Sequence, residues 1–98
     1  MITLETKLKQ SHHSAFTHIV GKAVVVYPRE RSIHRLDEVG TFIWDCLEQE
    51  RTCADVVAHV ERTFEVDHET ASRDTVGFLQ ALLEKHLIEI IPSAPVNS

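Results

Sequence analysis

The sequence predicts an α+β fold in which a three-stranded antiparallel sheet is followed by three helices, in the order β-β-β-α-α-α. Three observations carry this. Residues 16–36 are apolar in the short, turn-bounded bursts of strands. After Leu36 the apolar spacing switches to the helical i, i+3, i+4, i+7 pattern and holds it through Leu82. A chain of 98 residues, 43% apolar and 26% charged, has the size and composition of one ordinary globular domain. Wholesale disorder is excluded, and the longest apolar run, Ala23–Tyr27, is far short of the about 20 residues that cross a bilayer as a helix.

Residues 1–15 show no sustained period and read as a flexible arm, leaving 16–91 as the folded domain and 92–98 as a disordered tail. In the first strand Phe16, His18 and Val20 alternate with Thr17 and Ile19, and Gly21-Lys22 turns the chain into Ala23–Tyr27. Three consecutive valines are stiff at χ1 and favour a well-buried strand. Pro28–Arg31 breaks it. Ser32–Leu36 is a third strand whose polar alternation marks an exposed side and an edge position.

Asp37 is a suitable N-cap for the first helix, with Val39, Phe42, Ile43, Cys46 and Leu47 on one stripe. Trp44 lies off that stripe; it either packs against the sheet or serves as a contact anchor. Thr52 caps the second helix, and Asp55 three residues on nearly matches a capping box. The second stripe is Cys53, Val56, Val57, Val60 and Phe64. Asp67 caps the third helix, whose inner face is Ala71, Thr75, Phe78, Leu79, Leu82 and His86. Leu87–Ile91 is too short for a helix, and Pro92 ends it, so a terminal strand is expected. The expected core is Val24, Val26, Phe42, Ile43, Val57, Val60, Phe64, Phe78, Leu79 and Leu82.

The net charge of −5 is unevenly placed. Residues 1–36 carry Lys7, Lys9, Lys22, Arg29, Arg31 and Arg35 against only Glu5 and Glu30, and the helical part holds the acidic excess. Such asymmetry suits different partners on different surfaces. The seven histidines show no ligand spacing, and Cys46 and Cys53 form no Cys-x-x-Cys, so neither metal nor cofactor is expected. There is no Gly-rich phosphate loop and no paired nucleophile and base, so the chain reads as a binding module and not an enzyme. Its opening lacks the order of a secretory signal, and with two cysteines the expected location is the cytoplasm.

The stretch LDEVGTFIWDCLEQERTCADVVAHVERTFEVD, followed by FLQALLEKHLIE, resembles the PqqD family, named for a small protein of pyrroloquinoline quinone biosynthesis. The resemblance rests on Leu36, Gly40 and Trp44, on Arg51-Thr52 opening the second helix, and on Phe78-Leu79, Leu82 and Leu87 at the family's spacing. It spans residues 16–91. Asp37 stands where the family usually has Asn, and His86 where it often has Gly, which suggests a less tight turn after the third helix.

The resemblance implies a winged-helix-like RiPP recognition element: a non-catalytic peptide chaperone that binds the leader of a ribosomally made precursor. It would present that leader to a modifying enzyme, such as a radical S-adenosylmethionine (radical SAM) enzyme, a cyclase or a leader peptidase. In the family the leader adds as a strand between the third strand and the third helix. Here that maps to Arg31, Ser32, Ile33, His34 and Arg35, and on the third helix to Arg73, Val76, Gly77, Gln80, Leu83 and Glu84, which are rotated off the core stripe. The basic edge suits an acidic leader. Gly77 either admits another backbone or is a tolerated weak spot. Proline at His34 should remove a donor to the peptide if that N–H faces it, and Leu83→Glu should weaken binding without unfolding. The same edge could pair two copies into a homodimer. The alternative is a winged-helix DNA-binding or regulatory interaction domain. Against DNA, the third helix carries Glu69, Asp74 and Glu84 with only Arg73 and Lys85, which would repel phosphates, so no nucleic acid and no membrane partner are expected.

Overall fold

The chain begins with a strand where the sequence reading has an arm. In the computed structural model, which describes residues 2–92, β1 (Lys7–Gln10) lies between β5 (Arg51–Thr52) and β6 (Ile88–Ile91) in a three-stranded antiparallel sheet. Leu8 is fully buried and Ile2 nearly so. The Cys53 and Ala54 N–H groups, at the start of α2 (Cys53–Phe64), donate to the Thr6 and Leu4 carbonyls at 2.9 and 2.8 Å. The expected flexible arm is thus corrected: it is a clasp that completes a sheet and caps a helix. With one inward apolar residue, Lys7–Gln10 is too short to show a period, and both strands that pair with it lie far along the chain.

The other sheet is the expected one. β2 (Ala15–Ile19), β3 (Lys22–Tyr27) and β4 (Ser32–Arg35) are antiparallel neighbours in that order. Val20 and Gly21 join β2 to β3 at φ +52° and +78°, the sign pattern of a type I′ hairpin turn. One part of the reading fails by a single residue. Ala23, Val25 and Tyr27 face the core, whereas Val24 and Val26 are half-buried on the other face. A continuous apolar run carries no face information, and slipping by one residue turns every side chain over.

The helices follow their caps. The Asp37 carboxylate accepts from the Gly40 N–H at 2.8 Å and starts α1 (Glu38–Cys46). Thr52 and Asp55 form a full reciprocal capping box for α2. Asp67 accepts from the Thr70 N–H at 3.1 Å and starts α3 (His68–Glu84). Hydrogen bonds from Thr70 hold the Asp67 carboxyl below the usual range. Trp44 is fully buried, edge-on to Phe16 at 5.5 Å between ring centroids, so it packs against the sheet. Around it lie Leu8, Val25, Ile43, Leu47, Val56, Val57, Leu79 and Leu87. The expected core members Phe42, Phe64 and Phe78 sit at its half-buried margin.

His86 lies beyond α3, exposed, and not on its inner face. It adopts φ +64°, and the His86 and Leu87 N–H groups donate to the Leu83 and Leu82 carbonyls, each at 3.0 Å. These are the two bonds of a Schellman turn, so the exit is tight although histidine replaces the glycine expected there. No helix among the described residues is long and apolar enough to cross a membrane.

Candidate functional site: an open strand edge beside an apolar groove

β4 is an outer strand, so one row of its backbone groups is unpaired within the sheet. The register shows which row. The Leu36 N–H donates to the Ala23 carbonyl at 2.9 Å, continuing the pairing of Arg35 with Val24 and His34 with Val25. Orientation alternates along an antiparallel ladder, so Ser32 and His34 also turn their N–H groups toward β3, and Ile33 and Arg35 turn theirs outward. Proline at His34 would therefore break the sheet, because the donors open to a ligand are those of Ile33 and Arg35. The Arg31 φ of +53° after Pro28–Glu30 sets the direction in which β4 starts.

Side chains alternate as well. Ser32 and His34 point inward, and Ile33 and Arg35 outward, Ile33 with 67% of its surface exposed. The Ser32 hydroxyl and the His34 Nε2 are buried without a hydrogen-bond partner among the described residues.

Where β4 ends, a cavity of about 500 Å³ opens between α1, α2 and α3. Its apolar lining includes Leu36, Val39, Ile43, Phe64, Val66 and Phe78, and its polar wall has Arg35, Asp37 and Asp74. Gly40 explains the close packing here. A Cβ on it would lie 2.9 Å from the Phe78 ring and 3.0 Å from the Asp37 carboxylate. A side chain at this position would have to displace the Phe78 ring.

The flank of α3 in this groove is Thr70, Asp74 and Phe78, with Ala71 and Thr75. Arg73, Val76 and Gly77 instead line a separate shallow groove with Ile2, Thr3 and Leu4. A Cβ on Gly77 would touch nothing within 4 Å. Gln80 is half-buried, Glu84 is exposed, and Leu83 packs against the core, so Leu83→Glu would strike the fold. Arg35 and Asp74 both border this groove; of the sequence-derived set on α3, Arg73 meets Asp74 in an exposed ion pair at 3.5 Å but lines the other groove. Helical phase shows which residues leave the core stripe but not which flank faces the sheet; Phe78 went unnoticed because it was assigned to the core.

The remaining reactive groups are quiet. Burial pushes both thiols up, that of Cys46 despite the nearby Arg51, so little thiolate exists at neutral pH. His12, His18 and His68 contact Glu89, Asp45 and Glu61 at 2.8, 3.0 and 2.8 Å. Burial works to raise the Glu89 carboxyl, but hydrogen bonds from the His12 backbone and ring outweigh it and leave the group lowered. Among the described residues no three His, Cys, Asp or Glu side chains converge as a metal site.

Comparisons with known proteins identify the family and the fold. Residues 22–88 match the family described as coenzyme PQQ synthesis protein D. A solved structure described as TbiB1 in complex with the TbiA(beta) leader peptide is 30% identical, with a TM-score of 0.79, covering 87% of this chain and 99% of that one. Two others share the fold. One, a lasso peptide synthetase B1 complexed with the leader peptide, is 18% identical, with a TM-score of 0.72 over 87% of this chain and 98% of its own. The other, the PqqD truncation of Methylobacterium extorquens PqqCD, is described as a functional, stand-alone RiPP recognition element. It is 16% identical, with a TM-score of 0.75 over 91% and 95%. No curated protein matches the chain.

Proposed function

This chain belongs to the PqqD family, and from that premise we propose that it is a non-catalytic adaptor which binds the leader of a ribosomally made precursor peptide and presents it to a modifying enzyme. The observation that carries the reading is the open edge of β4 beside an apolar groove. An extended leader pairs with the outward N–H groups of Ile33 and Arg35, and main-chain bonds give affinity while side-chain pockets give selectivity. Its inward side chains reach the cavity at Val39, Phe64 and Phe78, where apolar residues fit. Arg31 and Arg35 favour an acidic stretch along the edge. The site is therefore β4 with the Thr70–Phe78 flank of α3.

The adaptor acts by raising the local concentration of precursor at the enzyme. The cytoplasm suits it, because Cys46 and Cys53 are free thiols. The partner enzyme, whether a radical S-adenosylmethionine protein, a cyclase or a leader peptidase, is defined by the genes beside this one. The test is calorimetric titration with a synthetic peptide covering the N-terminal leader of the precursor encoded there. Binding should be lost or weakened by about tenfold or more in Ile33→Pro, because one main-chain donor disappears at an edge position that tolerates proline. Tight duplex DNA binding at 150 mM salt with no leader binding would overturn the proposal.

A further inference from the structure

The outward face of the β2-β3-β4 sheet is mostly apolar, and Val24 and Val26 on it stand outside the core cluster. Register places Ile19 and Lys22 opposite each other, then Val24 opposite Arg35 and Val26 opposite Ile33, all on this one face. Ile19 and Ile33 are 58% and 67% exposed. The Val24-Val25-Val26 run thus has the pattern of a strand covered on both sides, while this chain covers only one. Exposed apolar surface of this kind marks an interaction site. The face also has a single sign of charge: its ionisable groups are Lys22 and Arg35, and none of its positions on the three strands is Asp or Glu.

We infer that this face is a docking surface for the modifying enzyme, which meets it with an apolar patch rimmed by carboxylates. The inference rests on the adaptor reading above and extends it to a second surface. Two observations select this occupant. A second copy of the chain would offer this face only cations, Lys22 and Arg35, and no carboxylate to meet them, and like charges across an interface are costly. The face is also continuous with the edge where the leader adds. Successive side chains of a strand point to opposite faces, so a leader paired with β4 sends half of its side chains into the groove and half onto this outer face beside Ile33. The enzyme then docks on a surface built jointly by adaptor and leader. Leader and enzyme favour each other's binding, and the coupling is reciprocal.

The experiment uses the purified modifying enzyme encoded beside this gene, the full chain and the same synthetic leader. Enzyme affinity is measured with and without leader for wild type, Lys22→Glu and Val26→Glu, and leader affinity is measured for each. The leader should raise enzyme affinity by about fivefold or more in wild type, the lower range of typical couplings. Lys22→Glu, a change at an exposed position, should weaken enzyme binding by about tenfold with leader affinity unchanged; Val26→Glu should do the same. Enzyme affinity unaltered in the folded Lys22→Glu and Val26→Glu variants, with the leader still bound, overturns the docking face and leaves the adaptor reading standing. Sedimentation showing a wild-type dimer that Val26→Glu dissociates also overturns it, by making a second copy the occupant. A leader that fails to bind wild type overturns the underlying adaptor reading instead.

Discussion

The clasp and helices on one side, and the wing sheet on the other, treat their backbone and apolar groups in opposite ways. Each helix starts on a side-chain cap, at Asp37, Thr52 and Asp67. β1 has a strand on both sides, and its one large apolar side chain, Leu8, is fully buried. In the wing, β4 has a single neighbour, Val20 is 95% exposed in a left-handed conformation that valine disfavours, and Ile19 and Ile33 stand exposed on the outward face. Paired and buried groups are concentrated in the first region, and an unpaired edge with exposed apolar side chains in the second. Elements that must accept a partner are drawn from the less stable end of a fold, and a scaffold of capped, buried elements makes that tolerable.

The contrast can be broken most easily at Leu8. Leu8→Ala should cost about 2–5 kcal/mol in a denaturant melt, because it opens a cavity in a filled core. Ile33→Ser, with an equally large apolar side chain in the wing, should cost under about 1 kcal/mol, as surface substitutions do. Equal costs would mean that the clasp is loose and the wing is not.

A smaller effect separates the two faces of β3. Val25→Ala should destabilise by about 1–3 kcal/mol, since it removes fully buried methyl groups, and Val24→Ala by clearly less. The reverse order would restore the register read from the sequence.

Acid should act on the clasp side. Asp67 and Glu89 both have folded pKa values below their unfolded ones. Groups shifted this way contribute stability above the unfolded value and lose it as pH falls through the folded one. Melting temperature should therefore be flat just above about pH 5 and fall below about pH 4, where unfolded carboxylates titrate. Asp67→Asn, which keeps a capping oxygen, should reduce that fall.

The smallest effects should be gains. Val20→Asn suits a left-handed turn position, and Gly77→Ala fills open space in a helix, so each should stabilise by about 0.5–1 kcal/mol. A loss at Gly77→Ala would show that another backbone needs the space there.

Much of this was legible in the sequence, and the rest was hidden for physical reasons. Helix starts were readable because Asp37, Thr52 and Asp67 signal locally, through hydrogen bonds three residues away. The three wing strands were readable from alternation and turns. β1 was not, since a four-residue strand with distant partners leaves no local mark. The facing of Val24 and Val26 was not, since a run of three valines is symmetric about its middle. At the site, the edge strand was legible from polar alternation. The flank of α3 beside it depends on how α3 rotates against α1, which Gly40 and Phe78 decide through a contact between residues far apart in sequence.

The most direct test of the leader-binding account is amide hydrogen exchange at single-residue resolution, with and without the synthetic leader. In the free chain the Ile33 and Arg35 amides should exchange quickly, while those of Ser32 and His34, bonded to β3, should be slower. Leader addition should slow Ile33 and Arg35 by about tenfold or more, as new inter-strand bonds close them to water. Protection that appears instead at Arg73, Val76 and Gly77, with Ile33 and Arg35 still exchanging freely, would contradict the account and move the leader to the groove beneath the clasp.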